Sequence, residues 1–169
     1  MVVWLIGLSG AGKTTLAKKV VLDANKQGCK TILLDGDVIR EVFGNDLGYS
    51  LKDRRLNAQR ICQLGKLLDD QGINVVCAIL SIFPHSREWN RENIENYYEV
   101  FIDTPIQDLV QRDSKGIYTK YQKGEISEVA GMDIEFQIPD QADLIIKNNK
   151  SKQDLLDFAK IIVDRIVHA

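Results

Sequence analysis

Gly7-Leu8-Ser9-Gly10-Ala11-Gly12-Lys13-Thr14 fits the pattern G-x-x-x-x-G-K-[ST] at every fixed position. It follows the apolar run Val2-Val3-Trp4-Leu5-Ile6 and precedes a segment with Leu16 and Val20 at helical spacing. A strand that enters a glycine-rich turn and leaves as a helix is the setting that separates a phosphate-binding P-loop from a chance run of glycines. The glycines let the backbone wrap a phosphate closely, and the helix start behind them offers free N–H groups and the positive end of a dipole. Gly7, Ser9, Gly10, Ala11, Gly12, Lys13, Thr14 and Thr15 are therefore expected to bind a nucleoside triphosphate, ATP in the first instance. Lys13 is placed to reach the β- and γ-phosphates, and the Thr14 hydroxyl to ligand Mg²⁺.

Outward from this loop, apolar and amphipathic segments alternate. Residues 2–6, 31–34, 73–80, 100–102 and 144–146 read as strands, and those around 13–27, 53–70, 86–96, 105–112 and 151–167 as helices. Short, continuous apolar strands between helices predict an α/β fold: a doubly wound, parallel five-stranded sheet with helices on both faces. Gly28 reads as the glycine just past the first helix, and Ser151 with Asp154 as the cap of the last. Over 169 residues there is no repeat, low-complexity tract or linker, so one domain spanning 1–169 is expected. Residues 112–139 stand apart, with Arg112, Lys115, Lys120, Lys123 and three glycines. They read either as a mobile lid that closes over phosphates or as a solvated loop with helical pieces.

Composition narrows the partners. Twenty-four acidic and 22 basic side chains leave a formal charge of −2, so no global basic field points to nucleic acid or a membrane surface. No apolar run is long enough to span a bilayer. The first apolar stretch lacks a basic leader and reads as a strand, not a signal peptide. Cys29, Cys62 and Cys77 are widely spaced and the chain has two histidines, which argues against zinc and for free thiols in a reducing, cytoplasmic location.

The acids that a triphosphate site requires are not after the third strand, where Val75-Val76-Cys77-Ala78-Ile79-Leu80-Ser81 ends without one. They follow the second strand, as Asp35-Gly36-Asp37. The carboxyl ends of strands in such a sheet line the ligand crevice. Asp35 is a candidate to accept a substrate hydroxyl proton or to order a magnesium-bound water. Asp37 is a candidate for the same work or for capping the next helix. Arg40, Arg54, Arg55, Asn57 and Arg60 come next. Arg54, Asn57 and Arg60 are spaced to share a helix face and suit an anionic, planar substrate, whereas Arg55 reads as solvated.

These residues resemble the adenylylsulfate (APS) kinase family. The resemblance rests on Gly-Leu-Ser-Gly-x-Gly-Lys-Thr-Thr at 7–15, Asp-Gly-Asp-x-Ile-Arg at 35–40 and Asp-Leu-Gly-Tyr-Ser-x-x-Asp-Arg-x-x-Asn-x-x-Arg-Ile at 46–61. It continues through Val-Phe-Ile-Asp-Thr-Pro at 100–105, Arg-Asp-x-Lys-Gly-Ile-Tyr-x-Lys at 112–120 and Gly-Glu-Ile at 124–126, so it covers nearly the whole chain in order. The resemblance implies a P-loop kinase with a lid, moving the γ-phosphoryl of ATP to the 3′-hydroxyl of a nucleotide. It implies that Asp35 is the catalytic acidic residue; Lys13 is expected to stabilise charge on the transferring phosphoryl, and Mg²⁺ to be held by Thr14 and, through water, by Asp35 or Asp37. It implies nucleotide-acceptor contacts at Arg40, Tyr49, Arg54 and Asn57, with Tyr49 at the position of a base-stacking aromatic, and Asp37 on the turn before them is a further candidate acceptor contact. Arg112 matches a lid position near ATP and Lys115 one near the acceptor. The family often forms homodimers; this chain begins almost at its first strand, so contacts through an N-terminal extension are not expected and the oligomeric state stays open.

The chain departs from the family at the acceptor end. Ile-Ser-Pro-Tyr-Arg becomes Ile82-Phe83-Pro84-His85-Ser86-Arg87, which puts Phe83 in place of the serine and His85 in place of the tyrosine and displaces the arginine by one, with the matching Ile82 and the changed Phe83 as candidate acceptor contacts. Lys-Lys-Ala-Arg becomes Thr119-Lys120-Tyr121-Gln122, and Pro-Tyr-Glu becomes Ile134-Glu135-Phe136. Phe-Thr-Gly, whose phenylalanine sandwiches the substrate adenine, becomes Val129-Ala130-Gly131. A relative with this profile is cytidine diphosphoramidate kinase, and the changes favour such a cytidine acceptor; the alternative is a true APS kinase in which Phe136 or Tyr121 restores the stack. His85 is weighed both as a contact to an acceptor phosphate and as a surface residue. Two remoter readings are a GTPase switch, for which no Asn-Lys-x-Asp run occurs, and a non-catalytic nucleotide-binding module, which the presence of Lys13, Thr14, Asp35 and Asp37 opposes.

Overall fold

The computed structural model describes residues 1–169. In chain order its elements are β1 (Val2–Ile6), α1 (Lys13–Lys26), β2 (Thr31–Asp35), α2 (Gly36–Val42), α3 (Leu51–Asp69), β3 (Asn74–Ile79) and α4 (Pro84–Asn93). They continue as β4 (Tyr97–Asp103), α5 (Ile106–Arg112), α6 (Ile117–Gln122), β5 (Leu144–Lys147), α7 (Lys152–Asp157) and α8 (Ala159–Val167). Side chains alternate across a strand, and β1 is buried on both faces. Val3 and Leu5 enter one core with Leu16, Ala17 and Val20 of α1 and Ile162 and Val163 of α8. Val2, Trp4 and Ile6 enter the other, with Ile61 and Cys62 of α3.

The five strands are parallel in the order β2-β3-β1-β4-β5. The chain leaves β1 toward β2 on one side, then leaves β3 for β4 on the other. Connections that diverge in this way open a crevice above the carboxyl ends of the central strands. No helix is long and apolar enough to cross a membrane.

The expected sheet is present, and several boundaries differ. A helix capped at Asp37 is one of the two readings of that residue, and helix α2 is present; it starts because the Asp35 side chain accepts from the Asp37 amide (3.0 Å). The aspartate that caps the helix is therefore Asp35 rather than Asp37. The helix expected to run to 96 stops at Asn93, because Ile94 is extended and buried, and β4 starts at Tyr97, whose ring packs 6.4 Å from Trp4. The last helix starts at the expected capping box of Ser151 and Asp154 but is broken at Phe158 into α7 and α8. Gly28 follows α1 with a φ of 83°, as its position after the helix requires. All three cysteines are free, and burial pushes the Cys62 thiol up to about 12.

Candidate active site

The loop between β1 and α1 is shaped by what glycine permits. Gly12 has a φ of 94°, and a Cβ there would stand 2.5 Å from Leu155 Cδ2. Gly7 lies so close under β4 that a Cβ would be 2.9 Å from the Ile102 carbonyl oxygen. Two side chains brace the loop from outside the motif. Buried Asn148, just past β5, donates to the Ala11 carbonyl (3.0 Å), and the Tyr118 hydroxyl on α6 donates to the Ser9 carbonyl (2.9 Å). Neither was singled out in sequence, because the contacts span 137 and 109 residues.

Above the loop lies a cavity of about 670 Å³. Its floor carries Ser9, Gly10, Gly12, Lys13, Thr14 and Thr15, together with Asp35 and Asp37 from the end of β2 and the start of α2. The Thr14 hydroxyl donates to Asp35 Oδ2 at 2.7 Å, while Asp35 Oδ1 holds α2 in place. Lys13 Nζ turns back on its own loop and donates to the Gly7 and Leu8 carbonyls, both at 2.8 Å. Burial, and next the charge of Lys115, lower its pKa to about 8, against an opposing pull from Asp35 and Asp37.

The opposite wall is cationic. Arg40 and Asn57 converge on one acceptor, the Gly36 carbonyl, from Nη1 (2.9 Å) and Nδ2 (3.1 Å). This leaves the buried Oδ1 of Asn57 without a partner in a cavity-lining residue. Arg54 donates from Nε to the Tyr49 carbonyl (2.6 Å) and from Nη2 to the Glu128 carbonyl (3.0 Å). Burial, and then the proximity of Arg40, push its pKa down. Both guanidiniums stand over Tyr49, at 4.7 Å and 5.8 Å from its ring centroid. Arg60, expected on the same face, pairs instead with Asp46 through two hydrogen bonds, away from the cavity.

Residues 112–139 cross over this space. Asp113 accepts from the Tyr118 and Thr119 amides and so ties down the first turn of α6, and Tyr118 and Val129 are buried in the core beside α1. Lys115 reaches down to Asp37 Oδ2 at 2.7 Å. Burial opposes the charge on both groups, but their mutual contact outweighs it, so the Asp37 carboxyl titrates below its ordinary value and the Lys115 ammonium above. Lys115, Val129, Ile82 and Phe83 all line the cavity.

Three predicted ATP-site residues lie outside the lining. Gly7 and Ala11 sit beneath the loop, and Arg112, exposed at the end of α5, makes a long contact to the Asn148 carbonyl (3.5 Å). The aromatics proposed to restore a lost stack are also elsewhere: Phe136 stacks on Phe101 at 5.9 Å, and Tyr121 packs against the core beside α1. His85 is exposed beside Glu88 and outside the cavity. No group of three or more His, Cys, Asp or Glu is arranged to hold an ion. The paired oxygens of Thr14 and Asp35 suit a hard cation that arrives with phosphates and keeps most of its water.

Known proteins resemble this arrangement. The adenylylsulphate kinase family model matches residues 1–147. Cytidine diphosphoramidate kinase of Campylobacter jejuni is 37% identical over 165 residues, 98% of this chain and 95% of that protein. Adenylyl-sulfate kinase of Pseudomonas aeruginosa is 40% identical over 156 residues, 91% of this chain and 80% of that protein. The Mycobacterium tuberculosis APS kinase CysC, solved in complex with AMPPNP and APS, superposes with a TM-score of 0.89 at 34% identity, covering 99% of this chain and 97% of that one.

Proposed function

We propose a reaction for this chain from one premise: it belongs to the adenylylsulphate kinase family. It is an ATP-dependent phosphotransferase of that type. Residues 1–169 act as one P-loop kinase domain with 112–139 as its mobile lid, and the γ-phosphoryl of ATP passes to the 3′-hydroxyl of a nucleotide acceptor. The observation that carries this reading is the Thr14–Asp35 hydrogen bond, which joins the phosphate-binding loop to a carboxylate on the floor of one cavity whose far wall is cationic.

The loop amides and Lys13 hold the β- and γ-phosphates, and Arg112 flanks the ATP side. Thr14 and Asp35 would hold Mg²⁺, which would supply charge neutralisation at the phosphates. Asp35 orients the acceptor hydroxyl and accepts its proton. Arg40 and Arg54 take the acceptor's anionic groups, and Asn57 Oδ1 accepts a hydrogen bond from it. Lys115 leaves Asp37 for the transferring phosphoryl as the lid closes. Phosphoryl transfer asks little covalent chemistry of the protein, so positioning and charge stabilisation supply most of the acceleration.

For the acceptor we propose cytidine diphosphoramidate. Support comes from the wall at Val129 and Ala130, which offers no ring, and from Phe136 and Tyr121 lying outside the cavity, so neither restores one. The second reading, APS as acceptor, is favoured by the 40% identity to the Pseudomonas aeruginosa enzyme. ADP release with MgATP is the test, with the two acceptors presented separately. Fast turnover of the cytidine nucleotide alone is the expected result. Turnover of APS alone would establish the second reading, and turnover of neither would overturn the assignment of a nucleotide acceptor.

A further inference from the structure

We propose that Phe83, backed by Arg55, is the platform on which the acceptor's base stacks, an assignment that rests on the acceptor reading above. The cavity lining contains two aromatic side chains, Tyr49 and Phe83. They differ in what already covers them. Tyr49 carries the guanidiniums of Arg40 and Arg54, and both arginines line the cavity. The Phe83 ring is covered by Arg55 at 5.1 Å, and Arg55 is an exposed residue that takes no part in the cavity wall. Phe83 thus lines the cavity while its ring carries a cation from outside the lining, and the proposal sets the base on the ring's other face, a three-layer stack of guanidinium, phenyl ring and base.

The backbone that carries the ring is also held firmly. Ser81, two residues earlier, has a φ of 53°, which a non-glycine residue keeps only when its surroundings fix it. Trp4 Nε1 donates to Ser81 Oγ (3.1 Å), and buried Arg87 donates from Nη1 to the Ser81 carbonyl (3.0 Å) while facing Glu99 at 3.6 Å. On the other side, Phe83 is the residue before α4, and Pro84 fixes the first turn. A ring carried on backbone fixed from both directions leaves less main-chain freedom to be lost when a base binds, so more of the stacking energy appears as affinity. The arginine displaced along the sequence to position 87 thereby acts as a positioning residue for the platform.

The test is calorimetric titration of the whole protein, its ATP site saturated with MgADP, against cytidine 5′-monophosphate and against ribose 5-phosphate. Phe83→Ser should weaken the cytidine nucleotide by at least about fivefold, given what one base–aromatic stack contributes. It should leave ribose 5-phosphate, which has no base, unchanged. Phe83→Trp should retain nucleotide binding, and Arg55→Ala should weaken it by about two- to fivefold. Equal loss for both ligands in Phe83→Ser would mark a purely structural residue and overturn the platform, as would no loss for either. If the wild-type protein binds no nucleotide beside MgADP, the acceptor reading itself fails, which is a separate result from a wild type that binds and a variant that binds equally well.

Discussion

Triphosphate binding by this protein should take up a proton above about pH 8, through Lys13. Without nucleotide, Nζ is confined by its own loop, with only the Gly7 and Leu8 carbonyls as partners, and burial and the charge of Lys115 hold its pKa at about 8. A phosphate beside it favours the ammonium and raises the pKa of the bound form. Near pH 9 the free protein would then carry about one-tenth of its Lys13 protonated, and binding would draw in about 0.9 proton. Affinity should fall by nearly tenfold per pH unit above about 8, until the pKa of the bound form is reached. The assay is calorimetric titration near pH 9 in buffers of different ionisation heat, where the apparent enthalpy should track the buffer. Lys13→Met should abolish that dependence. Lys115→Ala should move its onset to higher pH, because the charge of Lys115 is the second cause of the depression. The same shift fixes a sign for stability. The unfolded chain binds more protons between about pH 8 and 10.5, so this group makes the free protein more stable as pH rises through that window. An apparent enthalpy independent of buffer near pH 9 would refute the reasoning.

Two further substitutions separate chemistry from architecture. Asp35→Asn keeps an oxygen for the start of α2, and asparagine caps as well as aspartate, so the melting temperature should change little. The charge is lost, and kcat should drop by about a hundredfold or more with the KM for ATP near its original value; steady-state kinetics decide it, and a rise in KM alone would make Asp35 a binding residue. Gly12→Ala imposes a φ of 94° on a residue with a Cβ and drives that carbon against Leu155. It should cost about 1–3 kcal/mol for the backbone alone, seen as a melting temperature lower by several degrees and a loss of nucleotide binding. An unchanged melting curve would show that the loop relaxes freely.

What could be read without the fold is what local spacing carries. The P-loop is contiguous, so its glycines, Lys13 and Thr14 identify themselves, and the apolar strands around it predict a parallel sheet because the central ones are buried on both faces. The ends of α1 and the start of α7 were legible for the same reason: a cap is made by residues three or four apart. The cap of α2 falls on Asp35 and not on Asp37 because Asp35 acts at once as cap and as the partner of Thr14, and a motif reading assigns such a residue to only one role.

Everything that depends on which distant segments meet was decided by tertiary structure. Asn148 under Ala11, Tyr118 against Ser9, Lys115 on Asp37 and Arg87 on Ser81 have no local pattern, since the partners of the first three are brought together by the sheet order and the returning lid. Arg54 and Asn57 enter the cavity while Arg60, at the same spacing, turns to Asp46, because a helix face is wider than the opening it borders. Periodicity states which residues share a face. Only packing states which part of that face meets a cavity, and so which aromatic ring remains open to a base.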